Sequence, residues 1–129
     1  MPNVNALTTV ICLDLRKHRI RIPRVILKTM GIPHAIQLLV DPSEMAMAIL
    51  AVKDETLGNQ THRINRKSLL HKNSYEIYSK EFLERLCSVC EKLEPGASYH
   101  VSGSIAPDRT AAVFFLKSLQ KIQDTGAET

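Results

Sequence analysis

The chain has few of the residues on which small enzymes and secreted proteins depend. It contains no tryptophan, three cysteines and five glycines among 129 residues. An odd number of cysteines in a chain long enough to bury a core predicts reduced thiols rather than a disulfide framework. The glycines form no phosphate-cradling loop, and no nucleophile, base and acid make a recognisable group. We therefore expect neither a disulfide-rich secreted protein nor an enzyme.

Long hydrophobic runs are missing as well. The longest apolar stretch, residues 45–52, is far too short to cross a bilayer, and no basic region followed by an apolar core opens the chain. With 44% apolar and 23% charged residues, the composition is that of an ordinary folded chain. These features predict a cytoplasmic protein with no membrane partner.

Acidic residues are absent from one segment, residues 16–28, in which basic and titratable side chains are dense. Residues 1–53 hold seven Lys and Arg against three Asp and Glu, whereas residues 73–129 hold six against eight. A patch of one sign favours phosphate backbones, so the basic segment predicts a nucleic-acid contact. The candidate DNA-binding residues are Arg16, Lys17, Arg19, Arg21, Arg24 and Lys28.

The local pattern of this segment predicts a strand followed by a short helix. In residues 19–22 isoleucine alternates with arginine, which places both arginines on one face of a strand. Pro23 suits the first position of a helix, and Gly31 suits the position just after its end. The predicted helix therefore covers residues 24–30 and adds Arg24 and Lys28 to the basic face.

The segment RIRIPRVILKTMGI resembles the swapped-hairpin DNA-binding domain of AbrB-type transition-state regulators, which SpoVT and the MazE antitoxins share. The resemblance covers residues 8–53 and includes a second hairpin at residues 35–52. It implies DNA contacts from Arg19 and Lys28. His18 stands in place of the usual turn glycine, and Leu27 stands where a second helix arginine is common.

A second, degenerate copy of the unit is predicted downstream. Residues 75–86 can be laid on residues 19–30 with Ser79 at the proline position, and Pro42 and Pro107 fall in equivalent turns. The predicted fold class is mostly β with short helices (α+β), built as tandem AbrB-like β-barrel units. The predicted domains are an AbrB-like DNA-binding domain at residues 1–53, a linker with the first strand of the second unit at 54–72, and an oligomerisation or sensing unit at 73–129.

The predicted secondary structure follows these units. A Ser79-capped long helix is expected before Glu94, and a short helix at residues 117–122. The polar residues 53–62 are expected to be a linker. Predicted strands cover residues 8–15, 19–22, 36–40, 45–52, 68–70, 75–78, 99–105 and 111–116.

Assembly is expected because a unit of about 45 residues buries too little apolar surface to be stable alone. One possibility pairs each half with its counterpart in another chain, and the other pairs the two halves of one chain. We favour the first, a homodimer or higher homo-oligomer, because the second would set the acidic copy beside the basic element.

The sequence thus predicts a DNA-binding transcriptional regulator of the AbrB type, with double-stranded DNA as its partner. The alternative is a protein-interaction module, such as an antitoxin, whose basic face grips a toxin or another regulator. No cofactor and no metal are expected, because Cys87 and Cys90 lack a second pair of ligands at zinc spacing. Replacing Arg19, Arg21, Arg24 and Lys28 together by alanine is expected to remove DNA binding without unfolding the chain.

Overall fold

The computed structural model describes residues 7–52 and 60–122, and these form a mostly β protein, a nearly closed antiparallel barrel with short helices. No helix among the described residues is long and apolar enough to cross a membrane. The helices are α1 (Arg24–Thr29), α2 (Arg66–His71) and α3 (Lys80–Val89), and a 3₁₀ turn covers Leu116–Ser118. The strands are β1 (Leu7–Asp14), β2 (Arg19–Pro23), β3 (Ala35–Asp41), β4 (Ala46–Val52), β5 (Thr61–Arg63), β6 (Ser74–Tyr78), β7 (Ser98–Ile105), β8 (Ala111–Phe115) and β9 (Gln120–Lys121).

The strand and helix predicted from the basic segment are confirmed. In β2 the isoleucines at positions 20 and 22 are fully buried, and the alternating residues Arg19 and Arg21 face outward. Pro23 directly precedes α1, and Gly31 follows it with a φ of +84°, a backbone conformation that residues other than glycine rarely adopt. Residues 26 and 27 of α1 are buried against the barrel.

Two predicted elements are wrong, and the expected linker at residues 53–62 is wrong at its end: residues 61 and 62 belong to β5, while residues 53–59 lie outside the described residues. The strand expected at residues 68–70 is helix α2, because the side chain of Asn65 caps it by accepting hydrogen bonds from the backbone N–H groups of Lys67 and Ser68. The helix expected at residues 117–122 is only the 3₁₀ turn, after which β9 pairs with β7. Here sheet pairing overrides a weak local preference for helix.

Gly103 lies within the regular strand β7. A Cβ atom there would collide with the backbone carbonyl of Val113 on β8. The glycine is therefore needed because two backbones approach closely at this point.

The sheet order is β5-β3-β4-β8-β7-β1-β2-β6, and β9 also pairs with β7. Four of these antiparallel contacts join the two halves of the sequence: β2 with β6, β4 with β8, β1 with β7, and β3 with β5. The expectation that the halves pair between chains is thus wrong for these strands, which pair within one chain. The domain boundaries after residues 53 and 72 stay predictions about where the repeated units begin and end. Both units contribute strands to one barrel.

The core draws on both halves. Ile20 and Leu27 from the first half are fully buried in the same cluster as Phe82, Leu83 and Phe114 from the second. Each such side chain contributes about 1.5–3 kcal/mol by its burial. The two halves therefore stabilise one another through a common core.

Candidate nucleic-acid interface

The candidate interface is built on the antiparallel pair of strands β2 and β6, which we call the ribbon. In its register Arg19 lies opposite Tyr78, and Arg21 lies opposite Glu76. Because side chains alternate along a strand, these four point to the outer face while Ile20 and its partner on β6 point into the core. The predicted outward face of arginines is therefore present.

Carboxylates neutralise the middle of the ribbon. Glu76 Oε2 lies 3.0 Å from Arg21 Nη2 and 3.4 Å from Arg19 Nη1. Asp14 Oδ2 lies 3.0 Å from Arg19 Nη2. The Arg19 side chain keeps only 15% of its exposure, so it serves as a structural cation more than a surface one. A segment without acidic residues in the sequence thus acquires two in the fold.

The electrostatics of this cluster favour the charged forms. Burial opposes ionisation of Asp14, but hydrogen bonds from the backbone N–H groups of Lys17 and Arg16, together with Arg19, lower its pKa below the ordinary value. Burial likewise opposes ionisation of Glu76, and its hydrogen bond with Arg21 and the charge of Arg19 outweigh it, so the pKa of Glu76 is also lowered. Both carboxylates are ionised at neutral pH.

One end of the ribbon carries two exposed cations, Arg16 and Lys17, in the turn between β1 and β2. Their backbone N–H groups donate to Asp14 Oδ1 at 3.0 and 3.1 Å, which fixes the turn and leaves both side chains in solvent. His18 has a φ of 54°, the left-handed conformation. The turn thus takes a conformation that glycine adopts without steric cost.

The other end of the ribbon leads into α1, where Arg24 is half-buried and Lys28 is exposed. Arg24 Nη1 donates to the carbonyl of Leu69 at 3.1 Å, which ties α1 to α2. Lys28 borders a cleft of about 510 Å³ that Arg66 also lines. Arg66 Nη2 donates to the carbonyl of Ile32 at 2.9 Å.

The six predicted residues therefore fall into three groups rather than one patch. Arg19 and Arg21 are paired with carboxylates in the middle, and two pairs of cations lie at the ends. A strand of five residues spans about 17 Å, so the turn that holds Arg16 and Lys17 and the start of α1 lie about that far apart. Arg21 keeps 42% side-chain exposure in spite of its ion pair.

Sequence reasoning missed the cation Arg66 and the two carboxylates. The excess of four Lys and Arg over two Asp and Glu in residues 54–72 was a signal for Arg66. Nothing local predicted Glu76, which is 55 residues from Arg21 in sequence. The fourfold alanine variant is consequently not a clean test, because removing Arg19 leaves the nearly buried Asp14 without its cation.

Cys12 on β1 lies opposite Arg21 of the ribbon, whereas Cys87 and Cys90 lie in α3 and at its end. Cys90 is buried, while Cys12 and Cys87 are half-buried. Burial raises the pKa of the Cys12 and Cys87 thiols, so both are protonated at neutral pH. Within residues 7–52 and 60–122, no group of three or more His, Cys, Asp or Glu side chains is arranged to hold a metal ion.

The fold therefore defines a class: a mostly β protein whose antiparallel strands form a nearly closed barrel. No family model, no curated protein and no solved structure matches the chain.

Proposed function

We propose that the protein is a DNA-binding transcriptional regulator of the AbrB type, and that it docks on duplex DNA through the two ends of the ribbon. The observation that carries the proposal is the exposure of Arg16, Lys17 and Lys28. None of these three side chains has an ion-pair partner among the described residues. Cations that no carboxylate neutralises are those available to phosphates.

The dimensions of the ribbon suit this role. Because β2 pairs with β1 as well as with β6, the outer face of these strands would lie over the major groove, which is about 12 Å wide. A ribbon about 17 Å long would place Lys17 and Lys28 near the phosphates on opposite walls of the groove. Arg21, the more exposed of the paired arginines, would then face the base edges. Binding would be dominated by phosphate contacts, with modest reading of sequence.

The strand pairing supports the proposed tandem origin. The pairing of β1 with β7 is equivalent to that of β5 with β3 when the two units are exchanged. In the same way, the pairing of β3 with β4 is equivalent to that of β7 with β8. The pairs β2 with β6 and β4 with β8 are their own equivalents, as in a dimer of two related units. In this arrangement one copy is basic, and the other supplies Glu76 to hold its arginines.

Fluorescence anisotropy of a labelled duplex over a series of salt concentrations tests the proposal. The variant Lys17→Gln/Lys28→Gln removes one cation from each end of the ribbon. Its matched control, Lys92→Gln/Lys117→Gln, removes two exposed lysines elsewhere and leaves the same net charge.

We expect the salt slope of binding to fall by about two in the ribbon variant, because each lost phosphate contact removes about 0.9. The control should keep the slope of the natural chain. Equal losses in both variants would mean that only net charge matters and would refute the assigned interface. No binding at low salt by any of the three proteins would refute DNA binding itself.

A protein partner is the second candidate, and exposed apolar groups favour it. Tyr78 on the ribbon and Val25 on α1 are each 62% exposed. An aromatic side chain beside arginines is typical of protein interfaces. On this reading the basic face grips an acidic toxin or regulator, and failure of DNA binding in the anisotropy experiment would favour it.

A further inference from the structure

Strands β4 and β8 are apolar on both faces. Their sequences, AMAILAV and AAVFF, contain no polar residue. Met47, Ile49 and Phe114 fill the core, so the alternate residues point outward. A strand that is apolar on both faces is typical of one covered on both faces.

Apart from Gln37, which lies beside Leu50, the outward residues form a continuous surface, which we call the apolar strip. Leu39 on β3, Ala48 on β4 and Val113 on β8 are direct neighbours in the sheet register. Leu39 is 40% exposed and Phe115 is 46% exposed. The strip comprises Leu39, Ala48, Leu50, Ala111, Val113 and Phe115.

The two ends of the strip carry opposite charge. The hairpin turn between β3 and β4 places exposed Asp41 and Glu44 at one end, where both border a groove of about 440 Å³ that runs over the strip. The turn between β7 and β8 places exposed Arg109 at the other end, beside the cleft lined by Lys28 and Arg66. The register of β4 with β8 keeps these turns at opposite ends.

The carboxylate nearest the basic end is already engaged. Asp108 Oδ1 accepts hydrogen bonds from the backbone N–H of Thr110 at 3.1 Å and from its hydroxyl at 2.8 Å. Arg109 has no ion-pair partner among the residues that the structure describes. Its charge is therefore available to a group outside the chain.

We propose that the apolar strip is covered by the strip of a second copy of this chain, face to face about a two-fold axis perpendicular to the strands. That axis lays the acidic end of each copy over the basic end of the other, so Glu44 of one faces Arg109 of its partner twice. An axis along the strands would instead stack like charges. Neither Glu44 nor Arg109 is among the proposed DNA contacts, and the strip lies on other strands than the ribbon, so dimerisation and DNA binding can be lost separately.

The size of the strip sets the strength of the dimer. Three strands at about 4.8 Å spacing and five residues in length cover about 17 by 14 Å. This is small beside the roughly 800 Å² per partner of a standard interface, even when the turns are added. The dimer is therefore reversible, with dissociation expected in the micromolar range.

Sedimentation velocity over about 1 to 200 µM tests the proposal with charge reversals at the two ends. The variants are Glu44→Lys and Arg109→Asp, and aspartate is chosen because Arg109 has a φ of 64°, which aspartate tolerates. Glu91→Lys, an exposed acidic residue elsewhere, is the matched control. Circular dichroism of each variant checks that the barrel is intact.

We expect the natural chain and the Glu91→Lys control to dimerise with equal affinity. Each end variant alone should lose affinity about tenfold or more, because two like-charge contacts replace two attractive ones. An equimolar mixture of Glu44→Lys with Arg109→Asp should restore the dimer, since both contacts are then attractive again. A natural chain that stays monomeric at about 200 µM, or a mixture no better than either variant alone, would overturn the proposal.

Discussion

At the scale of single residues, Glu76 determines how much positive charge the ribbon shows to solvent. Its carboxylate contacts both Arg19 and Arg21, and Asp14 holds Arg19 from the other side. The same contacts stabilise the pairing of the two halves and reduce attraction for phosphates. Stability and DNA binding should therefore respond to Glu76 in opposite directions.

Replacing Glu76 by glutamine separates these effects. We expect Glu76→Gln to lower the free energy of unfolding by about 0.5–2 kcal/mol, because a partly exposed ion pair is lost. DNA affinity should rise about two- to tenfold, because the Arg21 guanidinium is released for contact with DNA, while Asp14 still holds Arg19. Urea denaturation and fluorescence anisotropy measure the two quantities. The control Glu91→Gln changes net charge equally, and an equal gain in affinity from it would contradict the argument.

Asp14 should make stability depend on pH in the acid range. Its pKa is lowered in the folded state, so its ionised form stabilises the fold above the ordinary carboxyl pKa of about 3.9. That contribution is lost as pH falls through the folded-state pKa. We expect Asp14→Asn to cost about 1–3 kcal/mol at pH 7. Urea midpoints between pH 7 and 2 should show the gap between natural chain and variant closing toward pH 2, and a constant gap would refute the assignment.

At the scale of elements, the sequence predicted the features that depend only on residues close together in the chain. Ser79 was predicted to cap α3, and its Oγ accepts the backbone N–H of Phe82 at 3.2 Å. The alternation of β2 and the helix α1 were predicted from spacing alone. α2 was mispredicted because six residues are too few for the spacing of apolar side chains to distinguish a helix from a strand. The N-cap residue Asn65 makes this segment helical.

The cap of α3 can be tested against a second serine in the same helix. We expect Ser79→Ala to destabilise the protein by about 0.5–2 kcal/mol, because a buried N–H loses its acceptor and Gln60 loses a hydrogen-bond partner. Ser88→Ala should be nearly neutral, since that exposed hydroxyl only bonds back to the carbonyl of Arg85. Thermal denaturation of both variants measures the difference. Equal shifts would show that the Ser79 cap contributes nothing specific.

Gly103 tests the close approach of β7 and β8. Any side chain there must displace the carbonyl of Val113, so Gly103→Ala should cost more than about 2 kcal/mol. Ser104→Ala, at the next position of the same strand, is the control and should stay within about 1 kcal/mol. Chemical denaturation distinguishes the two. A Gly103→Ala variant as stable as the control would show that the strands can separate at little cost.

At the scale of the whole molecule, the two halves form one barrel because their strands pair across the sequence. β1 pairs with β7 along all eight of its residues, from Leu7 with Ile105 to Asp14 with Ser98. Such pairing could not be predicted from neighbouring residues in the sequence. The acidic charge of the second half instead favoured the prediction that the two halves of one chain do not pair. In the structure the acidic residue Glu76 of the second half attracts Arg19 and Arg21 of the first half.

Separating the halves should therefore abolish the fold. We expect a fragment of residues 1–59 to lack β-sheet structure, because strands β1 to β4 lose their partners and the shared core. Mixing it with residues 60–129 should restore the circular dichroism of the intact chain. A fragment that folds alone as a monomer would contradict the common barrel.

DNA is proposed to lie across the two ends of the ribbon. A two-dimensional ¹H–¹⁵N NMR titration with a duplex of about 16 base pairs tests this placement, because it reports each backbone amide separately. We expect the largest shifts at residues 16–18 and 24–28, and small shifts on β4 and β8. Shifts concentrated on other strands, or none at low salt, would contradict it.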